Sequence, residues 1–320
     1  MTLEADQIVA RRRLRRQVSF WRIGAIMIAA LAVVGLLSSE DGAFSRLSDH
    51  VARVRIEGFI SGDEKTLKLF KNILESNRVK ALILHVDSPG GTTVGAEALY
   101  EAVRKISEKK PVVAVMNSVA ASGGYATAIA ADYIVARGNT ITGSIGVVFQ
   151  WPDVSQLLST IGVKVEELKS GDLKAEPTPF KPTSERVKAV TMLLIRDSFD
   201  WFVTLVAERR QMPIERVRLL ADGRVYTGRQ ALQEKLIDAV GGEDVAVNWL
   251  ARVKNIPKGT QIIDWETKNG FGSSGIGFAT LKGFLAFLGL HRLAEALDRA
   301  VGSSGVQLDG LMSVWHPDAQ

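Results

Sequence analysis

Short apolar runs alternate with helical patterns through the middle of the chain. Residues 51–56, 79–86, 111–116 and 145–149 are apolar and rich enough in β-branched side chains to predict strands. Between them, residues 65–77, 94–107 and 123–131 carry helical spacing. Strands apolar on nearly every residue belong in a sheet covered on both faces, so the pattern predicts an α/β fold with a mainly parallel sheet. In such folds reactive groups lie on loops beyond strand C-termini. Two segments answer that description: Asp87-Ser88-Pro89-Gly90-Gly91 after the second predicted strand and residues 117–122 after the third.

Further on, residues 184–211 read as one long helix, with Val187, Val190, Leu193, Leu194, Phe199, Phe202 and Val206 forming a packing face. Pro213 restarts a shorter helix. Thr227 and Gln230 have capping-box spacing and open a helix expected to reach Leu236, which assigns Arg224 and Tyr226 a structural or intersubunit role. Beyond residue 256 the pattern loosens. Residues 269–276 are rich in Gly and Ser, 278–301 read as an amphipathic helix suited to subunit packing in preference to lying on the membrane surface, and the apolar tail at 308–315 is suited to occupying a substrate groove as a product mimic.

The N-terminus carries a different signal. Residues 18–39 would make a helix about 33 Å long, enough for a hydrocarbon core of about 30 Å. Phe20 and Trp21 suit the headgroup belt, Arg22 can snorkel, and the preceding arginines favour the cytoplasmic side. The apolar centre, 23–37, is short enough for a cleavable signal peptide, but a clear small-residue cleavage site is missing, which favours an uncleaved anchor. Everything after Ser39 is then translocated.

Charge and composition narrow the classes. The formal net charge is +5, yet six arginines against Glu4 and Asp6 before residue 23 account for most of it, which argues against a nucleic-acid surface. With no cysteine, disulfides and cysteinyl metal sites are excluded. With 46% apolar residues over 320 positions, there is ample core material. Neither a metal-ligand spacing nor a phosphate-binding glycine-lysine run is present, so no metal, ATP or other cofactor is expected.

The chemistry centres on Ser122, which follows an apolar run in Val119-Ala120-Ala121-Ser122-Gly123-Gly124-Tyr125. A hydroxyl becomes a competent nucleophile once a base removes its proton. Of the histidines, His85 falls within a predicted strand as a packed residue, and His50, His291 and His316 fall in the linker or the C-terminal segments, which argues against a Ser-His-Asp triad. A lysine can serve instead. Lys174 and Lys169 are both candidates, and spacing does not separate them. A lysine ordinarily titrates near 10.4, so a lysine base working near neutrality needs water exclusion worth about 4 kcal/mol against the ammonium form. Asp172 would oppose this by pairing closely, so it is expected to point elsewhere. Gly91 and Gly123 are the candidate oxyanion N–H donors, with Gly90, Gly124 and Ser144 in support. Losing such a donor typically costs about 3 kcal/mol of transition-state stabilisation, so substitution of Gly91 is expected to damage turnover more than stability.

The ordered motifs Asp87-Ser88-Pro89-Gly90-Gly91, Ala121-Ser122-Gly123-Gly124-Tyr125, Thr142-Gly143-Ser144-Ile145-Gly146-Val147, Lys169-Ser170-Gly171-Asp172-Leu173-Lys174 and Ala221-Asp222-Gly223-Arg224-Val225-Tyr226-Thr227-Gly228 resemble bacterial signal peptide peptidase A, in its short form. The resemblance covers about residues 51–254. It implies Ser122 as nucleophile and Lys174 as general base. It also implies a ClpP/crotonase-like fold of repeated ββα units winding as a spiral, here preceded by a single transmembrane helix. A homo-oligomeric ring follows as well, with serine and lysine of one site coming from adjacent subunits.

The expected organisation is a cytoplasmic basic segment (1–17), a transmembrane anchor (18–39), a linker (40–50), a Ser/Lys peptidase domain (51–256) and a C-terminal extension (257–320). The expected function is degradation of cleaved signal peptides and other apolar, extended peptides on the extracytoplasmic side of the bacterial inner membrane, through an acyl-enzyme. The competing classes are a crotonase-type acyl-CoA enzyme, against which the anchor and Lys174 argue, and a catalytically silent membrane scaffold.

Overall fold

The structure, a computed structural model, describes residues 21, 22, 48–267 and 312–314. The expected anchor apart from Trp21 and Arg22, the linker up to residue 47, the Gly/Ser-rich stretch, the 278–301 helix, His291 and His316 lie outside the described residues. Among the described residues, no helix is long and apolar enough to cross a membrane.

The chain runs β1 (His50–Ile60), α1 (Glu64–Glu75), β2 (Val79–Thr92), α2 (Thr93–Ser107), β3 (Val112–Ala121), α3 (Gly123–Ala128), β4 (Tyr133–Ala136) and β5 (Ile141–Gly143). It continues through α4 (Ser155–Thr160), α5 (Glu185–Arg210), α6 (Ile214–Leu220), β6 (Val225–Thr227), α7 (Gly228–Gln233), β7 (Ala239–Val240), α8 (Glu243–Val253), β8 (Ile262–Asp264) and β9 (Met312–Val314). These strands join one sheet in the order β6-β5-β3-β2-β1-β8, with β4 and β7 branching from β3 and β9 lying on β2. All pairings are parallel except β5 with β6 and β2 with β9. The α/β class and the parallel-rich sheet are as the apolar runs predict.

Alternation along the central strands divides the core in two. Ala52, Val54, Leu82, Leu84, Val112 and Ala114 face one side, where α1, α2, α3 and α5 pack. Val51, Ile83, Val113 and Val115 face the other, under Ala246 and Leu250 of α8. Each aliphatic side chain taken out of water this way contributes about 2 kcal/mol, which is why the runs read as continuously apolar. Helix starts are fixed locally: Asp63, Thr92 and Ser184 each accept a hydrogen bond from the first turn, and Thr227 with Gln230 forms the expected capping box.

Several expectations are corrected. Residues 145–149 form no strand; the strand is Ile141–Gly143, immediately before them. Helix α7 ends at Gln233, short of Leu236. His50 is fully buried in β1, where its Nε2 accepts from Trp265 Nε1 at 3.1 Å, so it belongs to the sheet and not to a linker. β8 and β9 carry the sheet past residue 256. The long helix is also only half packed: Phe202, Val203 and Val206 are buried, whereas Val190, Leu193 and Leu194 are exposed.

Sheet β3 forks at the site. Its first half, Val113–Met116, pairs with β4, while Val119–Ala121 pairs with β5, and Thr140 bridges the fork by donating its hydroxyl to the Asn117 carbonyl at 2.5 Å. The fork delivers the end of β3 to the edge where β2 carries its glycine pair.

Candidate active site

The two expected loops are strand. β2 continues through Asp87-Ser88-Pro89-Gly90-Gly91 to Thr92, and β3 continues to Ala121. The turn residues were misleading because their conformational demands are met by slips in register, one between Val86 and Ser88 against β3 and one between Glu57 and Phe59 of β1 against β2.

Ser122 stands between β3 and α3 at φ 55 and ψ −118. A non-glycine residue in such a sparsely populated region costs about 1–3 kcal/mol and persists where its surroundings over-determine it. Here they do: the Ser122 N–H donates to the Gly143 carbonyl at 2.8 Å, its carbonyl accepts from Ala126 N at 2.9 Å, and every residue of α3 is buried. Tyr125 ties that helix down by donating its hydroxyl to the Leu236 carbonyl at 2.9 Å, and full burial pushes its phenol well above the usual range. The turn leads at once into the Gly123 and Gly124 backbone.

The glycines are required by close approach. A Cβ on Gly124 would lie 2.6 Å from the Ser88 carbonyl oxygen, so α3 rests directly on β2. A Cβ on Gly91 would lie 1.9 Å from the Ile60 carbonyl oxygen, so this position excludes any side chain on steric grounds. That corrects the expectation for Gly91: with backbone this close, loss of stability is expected from substitution there as well as loss of turnover. Gly90, at φ 115, supplies the backbone freedom. Ser144 is buried at φ 49 and donates its N–H to the Arg224 carbonyl at 2.8 Å. Ser122, Gly123, Gly124, Gly90, Gly91 and Ser144 thus gather at one edge of the sheet, and β9 lies antiparallel along Gly90–Thr92, with Gly91 opposite Ser313.

Lys174 is not buried. Ser122 is 1% exposed, while Lys174 is exposed, on the segment between α4 and α5. The expected dry surroundings of Lys174 are therefore not provided by the described residues of its own chain. Lys169 has a different fate: hydrogen bonds to Glu167 at 2.7 Å and Glu176 at 2.9 Å raise its pKa, which keeps it protonated near neutrality. Asp172 is paired with Arg186 at 3.6 Å.

Both described histidines are engaged elsewhere. His85 bonds Glu243 through Nε2 at 2.6 Å and Asn117 through Nδ1 at 3.3 Å, and His50 bonds Trp265. Among the described residues, no group of His, Asp and Glu is arranged to hold a metal. A cleft of about 450 Å³ opens beside β1, lined by Ile56, Ile60, Leu69, Leu99 and Trp265 among others, and neither Ser122 nor Lys174 lines it.

The sequence of this site and its scaffold matches known proteins. Residues 104–257 match Peptidase family S49. A Synechocystis sp. protein provisionally named a protease is 36% identical over 207 residues, covering 64% of this chain and 75% of the relative. The chain belongs to peptidase family S49. It is a serine peptidase. The Arabidopsis thaliana protein named Serine protease SPPA, chloroplastic, is 34% identical over 266 residues, 78% of this chain but 37% of its own length. An Enterococcus faecium protein provisionally named signal peptide peptidase SppA is 35% identical over 212 residues, 66% of this S49 chain and 62% of the relative. The S49 match begins at Arg104, beyond the Asp87–Gly91 motif, and spans Ser122, Ser144 and Lys174.

What reading the sequence missed is the work of Asp87 and Ser88. Both lie in a motif whose glycines draw attention first, yet the Ser88 hydroxyl bonds Gly58 and Gly90, and the Asp87 carboxylate accepts the Val119 N–H of β3.

Proposed function

We propose that this S49 peptidase is a membrane-anchored endopeptidase in which Ser122 attacks the scissile carbonyl, Lys174 removes its proton, and the backbone N–H groups of Gly91 and Gly123 stabilise the oxyanion of an acyl-enzyme pathway. The observation that carries the reading is the backbone of Ser122: a strained serine, fixed by Gly143 and Ala126, between a strand and a buried helix that rests on the glycine-bearing strand. In support of a shared site, Lys174 is exposed in the single chain, and so are Leu157, Ile161, Leu168, Leu193 and Leu194 around it in sequence. Apolar side chains of this kind are normally covered by a partner. A neighbouring copy of the chain docked there would supply the lysine to Ser122 and remove water from it, closing a ring. The spiral of repeated ββα units is the fold this reading assigns to the parallel-rich sheet.

Substrates in this reading are apolar extended peptides, cleaved signal peptides among them, bound as an added strand. In support, the chain's own Met312–Val314 backbone lies antiparallel along Gly90–Thr92, the place such a strand would take, which fits the tail as a product mimic. Residues 18–39 would hold the enzyme beside the bilayer with its catalytic unit extracytoplasmic, where released signal peptides remain. A fluorophosphonate probe tests the core of this: labelling of the full chain and loss of labelling in Ser122→Ala is the expected result. Labelling that persists in Ser122→Ala overturns the nucleophile, and absence of labelling in both overturns the mechanism.

A further inference from the structure

The β2 strand slips against both neighbours at the same place, and two consecutive side chains repair the two gaps. On the β3 side, the register shift between Val86 and Ser88 takes Val119 out of the regular ladder, and the Asp87 carboxylate accepts its N–H at 3.1 Å. On the β1 side, the shift between Glu57 and Phe59 leaves the carbonyl of Gly58, itself at φ 69, outside the ladder, and the Ser88 hydroxyl donates to it at 2.6 Å. The same hydroxyl accepts the Gly90 N–H at 3.1 Å. Ser88 is fully buried, its backbone pairs with Ala120, and its carbonyl underlies Gly124. One serine therefore touches the β1 bulge, the glycine turn and the helix that follows the nucleophile.

Regular ladders would carry β2 straight between β1 and β3. Beyond Ser88 the β2–β3 pairing ends, and Gly90 and Gly91 pair with Phe59 and Ile60 of β1 and with Val314 and Ser313 of β9, a course that a bulge holds only while its displaced N–H and C=O groups remain bonded. We infer that Asp87 and Ser88 are positioning residues for oxyanion stabilisation: the Asp87 carboxylate fixes the spacing between the glycine strand and the nucleophile strand, and the Ser88 hydroxyl fixes the direction of the Gly90–Gly91 backbone. Neither touches substrate. The inference rests on the reading of Ser122 as nucleophile and Gly91 as oxyanion donor.

Steady-state hydrolysis of a fluorogenic apolar peptide, the affinity of a peptide aldehyde and the affinity of the corresponding peptide acid test it on the full chain. The aldehyde is bound as a tetrahedral adduct whose oxyanion needs the aligned donors, whereas the peptide acid is held by strand contacts alone. Ser88→Ala is expected to lower kcat about 10- to 100-fold with KM nearly unchanged, and to weaken the aldehyde by a similar factor while the acid binds as before. Asp87→Ala is expected to behave alike, and Asp87→Asn, which keeps an acceptor oxygen for Val119, to recover most of the lost rate. Equal weakening of aldehyde and acid, or a kcat unchanged in Ser88→Ala, overturns the positioning role. Should Ser88→Ala fail to fold, Asp87→Ala against Asp87→Asn decides: no recovery in the asparagine variant overturns it. Fluorophosphonate labelling of the unmodified chain separates the two levels, since labelling with no Ser88 or Asp87 effect sinks only this inference, whereas a chain that hydrolyses without labelling sinks the serine reading beneath it.

Discussion

Lys169 is held 2.9 Å from Glu176, a carboxylate with 4% of its side chain exposed, and the pairing keeps this lysine in its ammonium form. Hydrogen bonds from Lys181 and Lys169 hold the Glu176 carboxyl below the usual range, and the same network raises Lys169. An amine stabilised as ammonium is unsuited to accepting a proton near neutrality. Lys174→Ala is therefore expected to abolish fluorophosphonate labelling and peptide hydrolysis with the melting temperature preserved. Lys169→Ala should lose some thermal stability and keep most of its labelling rate, because Lys181 still pairs with Glu176. Equal loss of labelling in both variants would mean that the base is misassigned.

If Lys174 serves a neighbour's Ser122, inactive variants should repair one another. Ser122→Ala and Lys174→Ala are each expected to be inert, while subunits of the two mixed and reassembled regain activity at sites that combine an intact serine with an intact lysine. Recovery should also require assembly, so Leu193→Asp together with Leu194→Asp, on the exposed part of α5, should yield smaller species without hydrolysis. Sedimentation velocity and peptide hydrolysis on the same samples check this. Full activity in a monomeric fraction would refute the shared site.

The glycine pair shows how far the sequence alone could be read. Apolar runs revealed the parallel sheet because β2 and β3 are buried on both faces over most of their length, and Thr227 with Gln230 marked a helix start through local hydrogen bonds. Gly90 and Gly91 were read as a loop because Pro and Gly usually break strands. The reason both fit within β2 is non-local: Gly91 presses on the Ile60 carbonyl, thirty-one positions away, which no window of sequence around residue 91 contains. The same holds for α5, whose apolar stripe predicts a packed face although Val190, Leu193 and Leu194 in its first half stay exposed among the described residues. Lys174 was equally beyond reach of spacing, since its surroundings are not set by its own strand or helix.

Gly91→Ala follows from that contact. Its methyl would enter the space of the Ile60 backbone, which cannot swing aside as a side chain can, so the variant is expected to lose about 3 kcal/mol or more and to fold poorly. Gly171→Ala, where an added methyl meets nothing within 4 Å, should be within about 0.5 kcal/mol of the unmodified chain. Urea unfolding followed by circular dichroism compares the two. A Gly91→Ala protein as stable as the Gly171→Ala protein would mean that β1 and β2 are not packed as described.

Glu243 offers a pH test of the far side of the sheet. Burial pushes its carboxyl up, but hydrogen bonds from His85 at 2.6 Å and Arg53 at 2.9 Å outweigh that and hold it below the ordinary range. Around this cluster, Asn117 faces the other nitrogen of His85, and Asp264 shares the Arg53 guanidinium. A carboxyl whose pKa is lower in the folded state stabilises the fold above the unfolded value, near 4.3, and loses that contribution as pH falls through the folded value. The stability difference between the unmodified chain and Glu243→Gln should thus be about 1 kcal/mol at pH 6–7, reduced from a fully buried pair by partial exposure, and should shrink as the pH drops below about 4. Thermal melts across pH 3–7 measure it. A difference that widens toward acid would mean that Glu243 is protonated in the native state and that His85 and Arg53 do not hold it as an anion.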